Sequence, residues 1–169
     1  IRTVGPRSAV TVPDGAQIID VAGKTIMPGL INAHGHVGGT LGLEGGHYNT
    51  DNLLRQLGLY ARYGVTTVNS LGGDEEQGFA LRNSQFGQDL DRARIYVAGS
   101  VVLGDTEAQI RAEVNRNADM GANFIKVRID DELGPAEKMP RNIFDALVDQ
   151  AHIRRLPVAV HLFYLDDAK

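Results

Sequence analysis

A chain of 169 residues with a formal charge of −4, 43% hydrophobic and 22% charged residues has the balance of a folded protein, which excludes a disordered segment. It has no Lys/Arg block of the kind that would draw a phosphate backbone, so nucleic acid is excluded as a partner. Cysteine is absent, which rules out disulfides, thiolate metal sites and cysteine nucleophiles and suits a cytoplasmic better than a secreted protein; no apolar run approaches the ~20 residues of a membrane-spanning helix.

Ile1-Arg2-Thr3-Val4-Gly5-Pro6 reads as a strand entering a turn, with neither an initiator Met nor a signal peptide before it, so a longer polypeptide is expected. Residues 9–12 and 17–21 alternate in polarity on either side of Pro13-Asp14-Gly15, which predicts a small antiparallel β piece. The expected division is residues 1–23 as part of a small β domain and residues 24–169 as the main α/β unit.

Beyond that boundary, apolar β-branched segments bounded by Gly, Pro and Asp recur at 25–32, 65–71, 94–100, 122–129 and 157–163, and these read as strands. Helical signals fill the intervals. Residues 50–63 end at Gly64; 106–120 open with Thr106 and Gln109 in capping-box spacing and close at Gly121. Residues 140–155 start at Pro140 and carry Ile143, Phe144, Leu147, Val148 and Ala151 on one face. The stretch 74–90, interrupted by Gly78 and Gly87, is read as a weak helix. The nearly continuous apolar character of the strands suits a parallel sheet covered by helices, either a barrel or a doubly wound sheet.

Several residues could carry chemistry. His34 and His36 lie two apart after a buried-type strand, so both imidazoles fall on one side, a spacing at which they can ligate one cation; a polar loop is the competing reading. The glycine-rich loop 38–49 that follows carries Glu44, His47 and Tyr48 and could line a pocket or simply be a surface loop. Lys126 sits in Asn123-Phe124-Ile125-Lys126-Val127-Arg128-Ile129, where burial would favour a neutral amine able to take up carbon dioxide as a carbamate, unless the segment is a solvated edge. Arg128, on the same strand face, could receive a substrate carboxylate or pair with Asp130 or Asp131. His161 is late in the fifth strand, as a metal ligand or a hydrogen-bonded core residue. His152, beside the last helix's apolar stripe, reads as structural. The placement of His34, His36, Lys126 and His161 at strand C-terminal ends favours a common site.

Ile26-Met27-Pro28-Gly29-Leu30-Ile31-Asn32-Ala33-His34-Gly35-His36 resembles the amidohydrolase superfamily, in the branch of imidazolonepropionases and prolidase-type (Xaa-Pro) dipeptidases. Tyr63-Gly64-Val65-Thr66-Thr67-Val68, Gly121-Ala122-Asn123-Phe124-Ile125-Lys126-Val127 and Val158-Ala159-Val160-His161 support it. The resemblance implies a (β/α)8 TIM barrel, of which this chain holds strands 1 to 5, preceded by part of a small β-sandwich. It implies two divalent metal ions, zinc first among them: His34 and His36 on one, a carboxylated Lys126 bridging both, and His161 on the other.

In such enzymes a metal-activated hydroxide hydrolyses a C–N bond, here of a dipeptide, cyclic amide or related small substrate, and a strand-end Asp moves the proton. That Asp has no counterpart before Lys169. A barrel takes roughly 250 residues, so the remaining strands are expected from the same longer chain or a complementary one, with homo-oligomerisation open. Two alternatives stand beside this reading: a mononuclear aminohydrolase (deaminase) with Lys126 unmodified, and a catalytically incomplete half-barrel that binds a complementary chain.

Overall fold

A computed structural model describes residues 1–87 and 90–169. Strand β1 spans Leu30–Gly35, later than the predicted 25–32. Pro28 has no N–H to give a ladder, and a Cβ on Gly29 would lie 2.2 Å from Thr66 Oγ1, so pairing begins where the backbone can approach its neighbour, at Leu30↔Val65. The loop after β1 holds a two-residue hairpin, β2 (Thr40–Leu41) and β3 (Glu44–Gly45). Helix α1 (Thr50–Arg62) follows, its Asn49 cap accepting from the Asn52 N–H, and its buried Leu53 and Leu57 face the core.

Strand β4 (Val65–Ser70) leads to α2 (Glu76–Asn83), the short helix that the weak signal over 74–90 contains. Residues 88–89 of that stretch lie outside the described residues. Gly78 does not break α2; a side chain there would meet the Tyr48 hydroxyl at 2.2 Å, so glycine is what lets helix and loop close up. Strand β5 (Arg94–Val97), helix α3 (Glu107–Asp119), strand β6 (Ile125–Arg128), helix α4 (Arg141–Ile153) and strand β7 (Val158–His161) complete the series. The Thr106–Gln109 capping box forms as its spacing predicts. Pro140 is the N-cap of α4, one place before the first turn, and the helix buries Ile143, Ala146, Leu147 and Ala151.

β1, β4 and β5 form one parallel sheet, and β6 and β7 another. A parallel bridge between Val102 and Val127, the Val102 N–H donating to the Lys126 carbonyl at 2.8 Å, joins the two, with the Asn123 N–H bonded to the Val97 carbonyl at 2.8 Å. Where β6 does not reach, side chains close the edge of β5: the Gln85 amide serves both the N–H and the carbonyl of Ile95, at 2.8 and 3.0 Å. The five longer strands thus run parallel in chain order, each βα step delivering the next.

Two cores result. One gathers Leu53, Leu57, Val68, Phe79, Ile95 and Val97; the other gathers Val102, Ile110, Val114, Ile125, Val127 and Leu147. Residues 1–29 make turns near 7–9 and 14–15, but no strand among the described residues, so the alternation of 9–12 and 17–21 finds no ladder. Alternation sorts side chains between faces only once a partner strand exists, and a lone pair of short strands is marginal in water.

Candidate metal centre

His34 lies near the end of β1 and His36 just beyond it, Lys126 lies within β6 and His161 ends β7; of these, His36, Lys126 and His161 line one cavity and His34 does not. The His34 and His36 rings have centroids 5.6 Å apart and tilted by 52°. His36 Nδ1 lies 3.3 Å from the Gly72 carbonyl oxygen. A carbonyl only accepts, so this contact places the ring proton on Nδ1 and leaves the Nε2 lone pair available to a cation. His34 is steadied through its backbone N–H, which donates to Asn32 Oδ1 at 3.1 Å. Partial desolvation holds the His34 imidazole below the usual histidine range, with Lys126, His36 and His161 pushing the same way.

Lys126 stands in the middle of β6 with 3% of its surface exposed, and its Nζ is buried without a hydrogen-bond partner among the described residues. Burial pushes its pKa down, favouring the neutral amine. His161 ends β7, its Nε2 3.6 Å from the buried Asp130 Oδ2 and its ring edge-on to Phe163 at 4.9 Å. His36, Lys126, Arg128 and His161 line one cavity of about 570 Å³, within the range of small-molecule sites, with Leu103 and Phe163 on its apolar wall. Among the described residues no three His, Asp or Glu side chains converge closely enough to hold an ion by themselves.

Three predicted contacts fall differently. His47 and Tyr48 do not line this cavity. Asn52 Nδ2 ties the loop back over α1 through the carbonyls of Gly38 and Thr40, at 2.9 and 2.8 Å. His47 then faces Glu44 at 3.7 Å, while Tyr48 packs against the first core, its phenol pushed well up by burial and by Asp74. Arg128 does line the cavity, but its ion pair is with Glu132 and not with Asp130 or Asp131. Those two carboxylates accept the backbone N–H groups of Glu132 and Leu133, whose φ values of 54° and 68° turn the chain back across the strand end. His152 is exposed on α4.

Asp74 is the site-supporting residue that no pattern announced. It is buried in the loop after β4; its Oδ2 accepts from the amides of Ala98 and Gly99 at 2.9 and 3.3 Å, and its own N–H donates to the Gly99 carbonyl at 3.2 Å. These bonds clamp the Gly72-Gly73 turn, and hence the carbonyl under His36, to the end of β5. Burial raises the Asp74 pKa against the opposing pull of the Ser70 hydroxyl and the backbone amides of Ala98, Gly99 and Gly72. Its one sequence signal is position, in the loop four residues after the end of β4 and directly behind Gly72-Gly73.

No family model matches the chain. Uncharacterized proteins of Mycobacterium bovis and Mycobacterium tuberculosis are 29% identical over 154 residues, covering 85% of this chain and 41% of theirs. The chain therefore spans about four-tenths of the length of these curated relatives. Among solved structures, phenylurea hydrolase B matches 94% of this chain and 48% of its own with a TM-score of 0.76 at 20% identity. An amidohydrolase matches 92% and 48% with a TM-score of 0.72 at 21% identity. A Xaa-Pro dipeptidase with methionine bound in its active site matches 79% and 43% with a TM-score of 0.68 at 20% identity. Likeness at these identities shows the fold: parallel α/β units of the kind that build under half of an amidohydrolase-type enzyme. Among the described residues no helix is long and apolar enough to cross a membrane.

Proposed function

We propose that this chain supplies the first five βα units of a (β/α)8 barrel and the metal-binding half of a hydrolase that cleaves C–N bonds in small amides. Residues 1–23 are read as belonging to a separate, composite β domain. The observation that carries the proposal is Lys126, a buried amine without a hydrogen-bond partner among the described residues, on the same cavity as His36 and His161. An ammonium ligates nothing and is costly there; a carbamate on Nζ would turn the same position into an anionic donor between the His34–His36 pair and His161. The donor set, nitrogen and carboxylate-like oxygen without sulfur, suits zinc.

Two divalent ions held there would polarise the amide carbonyl and activate water. The chain's own part is positional. His34 and His36 present their rings from one strand end, Gly72 fixes the His36 tautomer, and Asp74 fixes Gly72. Leu103 and Phe163 supply an apolar wall to that cavity. The proton-moving carboxylate is assigned to a strand-end Asp in sequence after Lys169. Hydrolysis of C–N bonds is the chemistry named in phenylurea hydrolase and dipeptidase, which supports the reaction class and leaves dipeptides, cyclic amides and ureas as the panel to test.

The test is metal analysis and turnover of the full-length protein on that panel, with Lys126→Ala assayed in the presence and absence of short-chain carboxylic acids. Two equivalents of metal, loss of both metal and activity in the variant, and partial rescue by the added acid are expected. Full metal content and activity in Lys126→Ala would refute the bridging role.

A further inference from the structure

We propose that Asp130 is a positioning residue for His161: the free oxygen of its buried carboxylate takes the Nε2–H of the ring and leaves Nδ1 as the nitrogen open to an ion. The consequence for metal binding rests on His161 belonging to the proposed metal centre, whereas the hydrogen bond itself is testable without metal.

Asp130 follows the last residue of β6 by two places and is 3% exposed. Its two oxygens are employed differently. Oδ1 accepts the Glu132 N–H at 2.8 Å and so holds the turn in which Glu132 and Leu133 adopt positive φ. Oδ2 is buried without a hydrogen-bond partner among the described residues, and His161 Nε2 lies 3.6 Å from it. A buried carboxylate oxygen without a donor is costly. The separation is only a few tenths of an ångström longer than an N–H···O bond, a gap that a small rotation of the imidazole closes.

The competing donor is engaged elsewhere, since the Arg128 guanidinium pairs with Glu132. His161, in turn, is held beside Asp130. Its carbonyl accepts the Ile129 N–H at 3.2 Å, and its ring packs edge-on against Phe163 at 4.9 Å. One step further out, the Tyr164 hydroxyl donates to Asp131 Oδ1 at 2.9 Å, and the Lys138 ammonium donates to both oxygens of Asp167 at 2.9 and 2.8 Å. The segments that follow β6 and β7 are thus fastened to each other next to the Asp130–His161 pair.

An ionised carboxylate only accepts, so it selects the tautomer with the proton on Nε2. A ligating histidine that donates its other N–H to such a partner has its ring orientation fixed and its ligating nitrogen made more basic. His36 receives the same service from the Gly72 carbonyl, but on Nδ1. The two histidines are therefore set in opposite tautomers by two different acceptors.

The test is long-range nitrogen–proton NMR on the full-length, metal-stripped protein, isotope-labelled at histidine, at a pH well above the ordinary histidine value. His161→Gln identifies the His161 signals. The wild type should show His161 with its proton on Nε2. Asp130→Asn keeps an oxygen for the Glu132 N–H and offers an amide N–H to the ring, so the His161 proton should move to Nδ1. In zinc titrations against a chelator, Asp130→Asn should weaken one of two bound ions by about 10–100-fold. A wild-type His161 protonated on Nδ1 overturns the proposal, and does so even if Asp130→Asn fails to fold. Unchanged zinc affinity in Asp130→Asn, where His161→Gln loses zinc, also overturns it. An Nε2 proton that depends on Asp130, with zinc binding indifferent to His161→Gln, upholds the hydrogen bond and counts against the metal-centre reading alone.

Discussion

Replacing Lys126 with methionine should stabilise the metal-free protein while depriving it of metal. Lys126 is 3% exposed and its Nζ has no hydrogen-bond partner among the described residues, so the fold carries the desolvation cost of an unpaired amine, about 1–3 kcal/mol. Methionine keeps the unbranched stem and places a thioether where the amine was. The packing of that stem is tight enough to notice: a Cβ on Gly72 would sit 3.4 Å from Lys126 Cγ. Deleting the stem is a different experiment, and Lys126→Ala should lose stability through the void it leaves.

Urea unfolding of metal-stripped protein should show a raised midpoint for Lys126→Met at unchanged slope, and elemental analysis of the purified variant should show the metal gone. An unfolding free energy lowered by more than about 1 kcal/mol would mean that the amine is satisfied in solution, and the argument for a vacant donor at this position would fall with it.

Two further outcomes follow from the turn beneath His36. Gly72→Ala places a side chain at φ 99° with its Cβ 2.5 Å from Val101 Cγ2, which should cost about 1–3 kcal/mol in urea and weaken metal binding by moving the carbonyl that holds His36. Asp74→Asn keeps an acceptor for the Ala98 and Gly99 amides but removes the charge. Because burial raises the Asp74 pKa, the wild type bears the cost of a buried carboxylate above its folded pKa and sheds it as the pH falls towards the ordinary carboxylate range. The stability of wild type relative to Asp74→Asn, followed by urea unfolding, should therefore rise with acidification; a difference independent of pH would refute the assignment.

What could be read from sequence was what is decided locally or by period. The Thr106–Gln109 box needs only its own turn, and the β-branched runs leading into Ser70, Val97, Arg128 and His161 mark buried parallel strands wherever they occur. The His34–His36 spacing and the isolated Lys126 were legible for the same reason. The alternation of residues 17–21 needs a partner strand before it means anything. Arg128 pairs with Glu132 because two successive left-handed residues redirect the loop, a backbone event with no periodic signature. Tyr48 turns inward because Gly78 leaves a space for its hydroxyl, a complementarity between distant positions. Asp74 works through backbone amides twenty-odd residues away, and those contacts exist only once β4 and β5 are side by side.

The two halves of the candidate site belong to different cores. His34 and His36 lie at the end of a strand that pairs with β4 and leads into Val37 of the cluster around Leu53, Leu57 and Val68, whereas Lys126 and His161 ride on β6 and β7 over the cluster around Ile110, Val114 and Leu147. Between them lie one parallel bridge at Val102 and the backbone and side-chain bonds of Asn123 to Val97. A ligand set divided in this way is only as well placed as its junction, and binding that draws on both halves must tighten that junction in return, since whatever binds the folded arrangement alone stabilises it. On the proposed reading, the bridging Lys126 is therefore both donor and fastener: its backbone carbonyl already ties β6 to Val102, and its Nζ would tie the same strand to the histidines of β1.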